Sequence, residues 1–210
     1  MSENTANVEK KALRKEKKTL DYRIALVLMI IMIIIALFNG ASKAWKKNRV
    51  GVDAAYAQWQ ENVQQRIETS HNILTVSGRY LADSDAKVVS LKNDMNAMNA
   101  GSSTDSSSFN AQALACDSFI QDSKALLNAL SANEQVQQDA RDAMYVNLML
   151  PQAVEQCSNS ASLSEYNAAA KAYNDGLHSF SGFLARIIGI DYAPTVDTAL
   201  LEKVAAEATV

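Results

Sequence analysis

From Ile24 to Phe38 every position is apolar, fifteen residues in a row (IALVLMIIMIIIALF). As helix that run is about 22 Å long, short of a ~30 Å hydrocarbon core. Asn39, Gly40, Ala41, Ser42 and Ala44 can carry the helix on to Trp45, an aromatic suited to the headgroup level, while Lys43 snorkels outward. The pattern predicts a transmembrane helix over 23–45, with Ile24, Phe38 and Trp45 as its markers. Beyond Arg49, Val52, Tyr56, Trp59, Val63, Ile67, Leu74 and Leu81 keep helical spacing with no proline between them. The helix is therefore expected to run on out of the membrane.

Asp83-Ser84-Asp85 marks a break, after which Val88, Leu91, Met95 and Met98 resume at steps of three, four and three. Residues 99–110, NAGSSTDSSSFN, are poor in apolar side chains and read as a flexible loop between antiparallel helices. Leu114, Phe119, Ile120, Leu126, Leu127 and Leu130 define a third helix. Ser131 and Glu134 have capping-box spacing and predict another helix through Val136, Ala140, Met144 and Leu148, ended or kinked at Pro151. After a second loop, SNSAS at 158–162, Ser162 and Glu165 repeat the capping-box spacing.

The next segment carries a single seam: Tyr166, Ala170, Tyr173, Leu177, Phe180, Leu184 and Ile187 alternate steps of four and three. This is the coiled-coil type of return that buries a single helix stripe against neighbours. It predicts one helix whose aromatics lie in the core, weakening at Gly189, with Asn167 and Asn174 one step off the stripe and able to satisfy neighbouring backbone groups. A short helix is expected between Val196 and Ala206. The fold class is all-α: an N-terminal single transmembrane helix followed by an antiparallel, roughly four-helix bundle. The chain divides into a basic N-terminal segment (1–22), the transmembrane helix (23–45), the bundle (46–190) and a tail (191–210).

Charge changes this picture in one respect. Residues 1–45 carry eight Lys/Arg against four Asp/Glu (+4), and residues 46–210 twelve against nineteen (−7). The basic KKALRKEKK run is either a topology signal or an anionic-lipid contact. Positives ahead of the span favour the N-terminus inside and the bundle on the outer face, against the opposing pull of Lys43, Lys46, Lys47 and Arg49. A cleaved signal peptide with its site near Ser42-Lys43-Ala44 is the competing reading; the long apolar stretch and the lysine within the small residues favour a retained anchor. The acidic bundle offers no basic stripe for phosphates, so no nucleic-acid partner is expected.

Candidate chemistry is sparse. His71 and His178 are the only histidines and stand in no metal-ligand spacing, so no metal, cofactor or catalytic residue is assigned. Asp83/Asp85 and Asp139/Asp142 fit caps and solvated faces. Cys116 and Cys157 could pair in an oxidising compartment; the apolar surroundings of Cys116 favour buried thiols.

The segment Tyr166-Asn167 to Tyr173-Asn174 to Phe180 resembles the C-terminal signature of LemA-family proteins, two Tyr-Asn pairs and a phenylalanine at this spacing. Residues 55–80 resemble the family's segment after the anchor, with Arg66 and Asn72 at matching places and Asn48-Arg49 just outside the membrane. His71, Tyr56 and Ser181 depart from the family's proline, tryptophan and proline. The resemblance implies a divergent member: a single-pass bacterial membrane protein, non-enzymatic, with Arg66, Asn72, Tyr166, Asn167, Tyr173, Asn174 and Phe180 as structural signature residues. The expected partners are the lipid bilayer and proteins, or a second copy of the chain, for a scaffold or interaction role. The alternative is an envelope sensor that holds a small ligand between helices near Tyr166, Tyr173 and Asn174.

Overall fold

The unbroken helical spacing after the apolar run becomes a single element. In the computed structural model, which describes residues 3–102, 105–158 and 161–196 and their side chains from Tyr22 onward, α1 spans Glu3–Ser77. Its stretch from Tyr22 is long and apolar enough to cross a membrane, and every side chain from Tyr22 to Leu37 is exposed. From Val52 the same helix buries Trp59, Val63, Ile73 and Val76 on one side and becomes the spine of the bundle. Anchor-like stretch and core are thus continuous backbone, with no linker between them.

A turn over 78–85 reverses the chain, and the Asp85 carboxylate accepts the Lys87 N–H to cap α2 (Ala86–Ala100). This descends antiparallel to α1. The connection at 101–105 is shorter than the loop expected at 99–110, because α2 continues to Ala100 and Asp105 starts α3 (Ser106–Ser131) by accepting the Ser107 and Ser108 N–H groups. Serines that look loop-like in sequence become the first turn of a helix once an acceptor precedes them. α3 ascends beside α1, pairing Gln112 with Trp59, and beside α2, pairing Ser118 with Asp94.

The fourth leg is broken. α4 (Glu134–Gln138), α5 (Ala140–Met144), a π-helical turn (Tyr145–Met149) and α6 (Leu150–Gln156) stand where one helix was expected. Asn133, not Ser131, caps α4; Ser131 instead donates to Asn147. Asp139 breaks the helix by capping α5. Pro151 neither ends nor begins the leg. The Leu150 N–H reaches back to the Tyr145 carbonyl, and this wider turn relieves the clash that a proline ring makes with the carbonyl four residues earlier. α7 (Ala161–Gly176) completes the descent along α1. Ser162 lies inside α7, buried, accepting from Asn62, and does not cap it.

The aromatic seam expected as one helix is two. α7 ends at Gly176, and Ser179 caps a new helix, α8 (Phe180–Ile187), by accepting the Gly182 N–H at 3.2 Å. Tyr166, Ala170, Tyr173 and Leu177 are buried, but Phe180 and Ile187 are exposed, so the core reading fails for both. Gly189, at φ +84°, turns the chain back, a conformation glycine adopts without penalty. Residues 190–196 then run as an extended strap. The short helix expected between Val196 and Ala206 lies, apart from Val196 itself, outside the described residues. Among those residues there is no strand, and the four legs form the antiparallel helical bundle.

Candidate functional site at the anchor end of the bundle

Three residues of the two Tyr-Asn pairs, Tyr166, Asn167 and Asn174, have a shared task, while the buried Tyr173 hydroxyl has no hydrogen-bond partner among the described residues. The Tyr166 hydroxyl donates to the Pro194 carbonyl (2.7 Å), and Asn167 Oδ1 accepts the Val196 N–H (3.0 Å). Seven residues on, Asn174 clamps Ala193 from both sides, accepting its N–H and donating to its carbonyl at 2.8 Å each. The spacing explains itself. Seven helical residues rise about 10.5 Å and three extended residues about 10 Å, so Asn167 and Asn174 stay in register with Val196 and Ala193. The signature is a zip that fastens the strap to α7. Burial pushes the Tyr166 phenol up to about 12, so it remains a protonated donor across the physiological range.

Beneath the zip the sequence's two signature segments meet. Tyr56 of α1 lies 5.6 Å from Tyr166, and Phe109 of α3 lies 5.0 Å from it, ring centre to ring centre. Nearer the anchor, Tyr173 packs edge-on against Trp45 at 5.6 Å, with the Arg49 guanidinium over its face at 5.7 Å. Trp45 is 6 % exposed. Its indole, expected as a headgroup-level aromatic, is covered by α7. Gly176 makes this possible, since a Cβ there would come within 2.6 Å of the Trp45 ring.

Beside Tyr173 opens a cleft of about 370 Å³ lined by Trp45, Lys46, Arg49, Asp53 and Asp191. Arg49 bridges its walls, bonding Asp53 Oδ1 and the Asp191 carbonyl at 3.3 Å each. Two bases face two acids, so the cleft has no net charge to select an ion.

The other signature residues part company. Arg66 is buried on α1, its guanidinium 5.7 Å from the Trp59 ring centre and its Nη1 3.5 Å from the Asn62 carbonyl. Asn72 is exposed. His71 and His178 are exposed too, and no group of three or more His, Cys, Asp or Glu is placed to hold a metal among the described residues. Cys116 and Cys157 are free, buried thiols; burial pushes Cys116 up to about 12, and Cys157 Sγ lies 3.6 Å from the Thr69 hydroxyl.

Two polar centres escaped the sequence reading. Gln112 is buried between three helices: its Oε1 accepts from Trp59 Nε1 (3.3 Å) and Gln60 Nε2 (2.9 Å), and its Nε2 donates to the Met98 carbonyl (2.7 Å). At the far end Asp142 accepts from Arg79 (2.8 and 2.9 Å) and from the Tyr80 hydroxyl (2.8 Å). The available signal for Asp142 was its place at the head of a run of four-residue steps, Val146, Leu150 and Val154, on one stripe. A charge on that stripe announces a buried partner.

No protein-family model, curated protein or solved structure matches this chain.

Proposed function

We propose that this is a membrane-anchored helical-bundle protein of the LemA type, non-enzymatic, acting as a scaffold or interaction protein at the bacterial membrane with its bundle on the outer face. The observation that carries the reading is the continuity of α1, in which one helix supplies both an exposed apolar stretch and the bundle's spine. Some fifteen exposed apolar side chains would aggregate in water, and lipid is the solvent that suits them. The signature residues support a structural role, because Tyr166, Asn167 and Asn174 are engaged by the chain's own strap.

The alternative, a sensor with a small ligand between helices, draws on the cleft beside Tyr173 alone. The polar groups of Tyr166 and Asn174 on which it was expected to rest are already used.

Alkaline carbonate extraction of membranes tests the anchor, and crosslinking in intact cells tests the interaction. The expected result is retention in the pellet and a crosslinked species heavier than the monomer. Release into the supernatant would sink the anchor; a lone monomer after crosslinking would sink the scaffold.

A further inference from the structure

α8 is built inside out. Its small residues Gly182 and Ala185 are buried, whereas Phe180 is 73 % exposed and Phe183, Ile187 and Ile188 stand outward with it. A helix in water does the reverse, turning its largest apolar side chains inward. Gly182 has no alternative, since a Cβ would meet the Leu177 backbone at 2.5 Å.

The position of α8 names what covers that face. α7 descends along α1 until Gly176 meets Trp45, and α8 then packs on α1 before Gly189 sends the strap back past Arg49. The buried α1 residues at this level are Ala41 and Trp45, directly after the apolar run ends at Phe38. Phe38 to Trp45 is about 10 Å of helix, the depth of the boundary between headgroups and acyl chains. α8 is thus the bend of a hairpin that reaches back toward the span and goes no further.

Its charge agrees. Between Gly176 and Ile190 there is no acid, and Arg186 is the one fully charged side chain; it lies over the Tyr192 ring at 5.0 Å. Lys43, Lys46 and Lys47 are exposed on α1 at the same height. Lys43 and Lys47 stand on the side of α1 turned away from Trp45, so the cations share the height of the α8 face without rimming it, and an apolar helix face at that height beside a basic helix suits an anionic bilayer surface.

We infer that α8 is a second membrane contact, its Phe180–Phe183–Ile187–Ile188 face inserted at the headgroup–acyl boundary of the bilayer that α1 crosses. This rests on the anchor reading, and it adds an orientation: a bundle held at two points cannot swing freely on α1.

The test places spin labels, one at a time, on the full chain in nanodiscs of phosphatidylethanolamine and phosphatidylglycerol. The variants are M32C in the apolar run, F183C and I187C on α8, and Q121C on an exposed face of α3, with the unsubstituted chain as a blank for the two buried thiols. Collision with oxygen reports lipid, and collision with a water-soluble nickel chelate reports water. The expected ratio of oxygen to nickel accessibility is several-fold higher at F183C and I187C than at Q121C, and higher still at M32C. Labels on α8 that match Q121C while M32C remains in lipid would overturn the inference and leave the anchor standing. Labels on α8 shielded from both reagents would overturn it in favour of a protein cover, a second copy if the shielding grows with protein per disc. M32C in water would overturn the anchor and α8 docking together. Since I187C reports the same face, a fold lost in F183C, seen as lost helicity, still leaves an answer.

Discussion

The two ends of the bundle follow opposite rules. Where α1 stops at Ser77, the chain spends charge: Asp142 is buried but takes three hydrogen bonds from Arg79 and Tyr80, and Asp85, Asn133 and Asp139 cap the neighbouring helices. Where α7 stops at Gly176, small residues let helices touch, Trp45 and Tyr173 fill the seam, and large apolar side chains face outward. The first arrangement ends helices in water by satisfying their orphan N–H groups. The second keeps one such cap, Ser179 on Gly182, and a charged cleft at Arg49, but turns the large side chains of α8 outward, the arrangement we propose a lipid boundary covers. That difference is what the proposed membrane anchoring would require of the two ends, and it can be broken from either side.

The largest effect is expected at Gly176. In Gly176→Leu the new side chain must displace Trp45, which a Cβ alone would approach to 2.6 Å. Overpacking of this kind costs about 3 kcal/mol. Thermal unfolding in detergent should show a clear drop in Tm, and an unchanged Tm would mean that α7 and α1 do not close on each other at this glycine.

At the opposite end, Asp142→Ala removes the acceptor for Arg79 and Tyr80 and should cost about 2 kcal/mol, discounted because Arg79 is more than half exposed. The Tyr80 hydrogen bond, then Arg79, hold the Asp142 carboxyl below the ordinary carboxylate range. A depressed pKa stabilises the folded state above the unfolded value and is lost as pH falls through the folded one. Urea midpoints of wild type and variant should therefore differ at pH 7 and converge below about pH 4. A gap that persists at low pH would assign the loss to packing instead of charge.

Asn174→Ala acts on the strap alone. Two hydrogen bonds to Ala193 disappear, a cost of about 1.5 kcal/mol. Helicity should hold while hydrogen exchange at the Ala193 amide rises by about tenfold, the equivalent of 1.4 kcal/mol. Unchanged exchange would mean the zip does not depend on that asparagine.

Legibility in the sequence follows the same divide between the ends. The run of α1 from the apolar stretch into the core was legible because no proline or glycine pair interrupts the spacing, and buried thiols were legible from the apolar setting of Cys116. The split of the seam was not. Tyr166 to Ile187 keeps its period across the break, and periodicity says which residues are apolar, not whether protein or lipid covers them. The local signal was Gly176 with Ser179 three residues before Gly182, a stop followed by a cap. Ser131/Glu134 and Ser162/Glu165 misled for the converse reason, since that spacing also arises where the serine is held by a distant side chain, Asn147 or Asn62. The strap was invisible because residues 190–196 have no period of their own and take their register from Asn167 and Asn174.

Asp94 offers the smallest and most diagnostic test, because its sign is opposite to that of Asp142. It sits half-buried between α2 and α3; the Ser118 hydroxyl donates to its Oδ1, while Oδ2 is buried without a hydrogen bond. Burial pushes its pKa up to about 6, with the nearby Asp122 adding to the rise against the Ser118 bond. An acid whose folded pKa is raised contributes stability when protonated, fully below its unfolded value and lost as pH climbs through the folded one. Ionised at pH 7, it costs stability, by about 1 kcal/mol after solvent screening. Asp94→Asn keeps the acceptor for Ser118 and removes the charge, so it should raise Tm by a few degrees at pH 7 and have no effect near pH 4. A variant that gains equally at both pH values would show that the burden at Asp94 is shape and not charge. A variant that gains at neither would show that the carboxylate already finds water, placing the α2–α3 seam among the wet surfaces of the molecule.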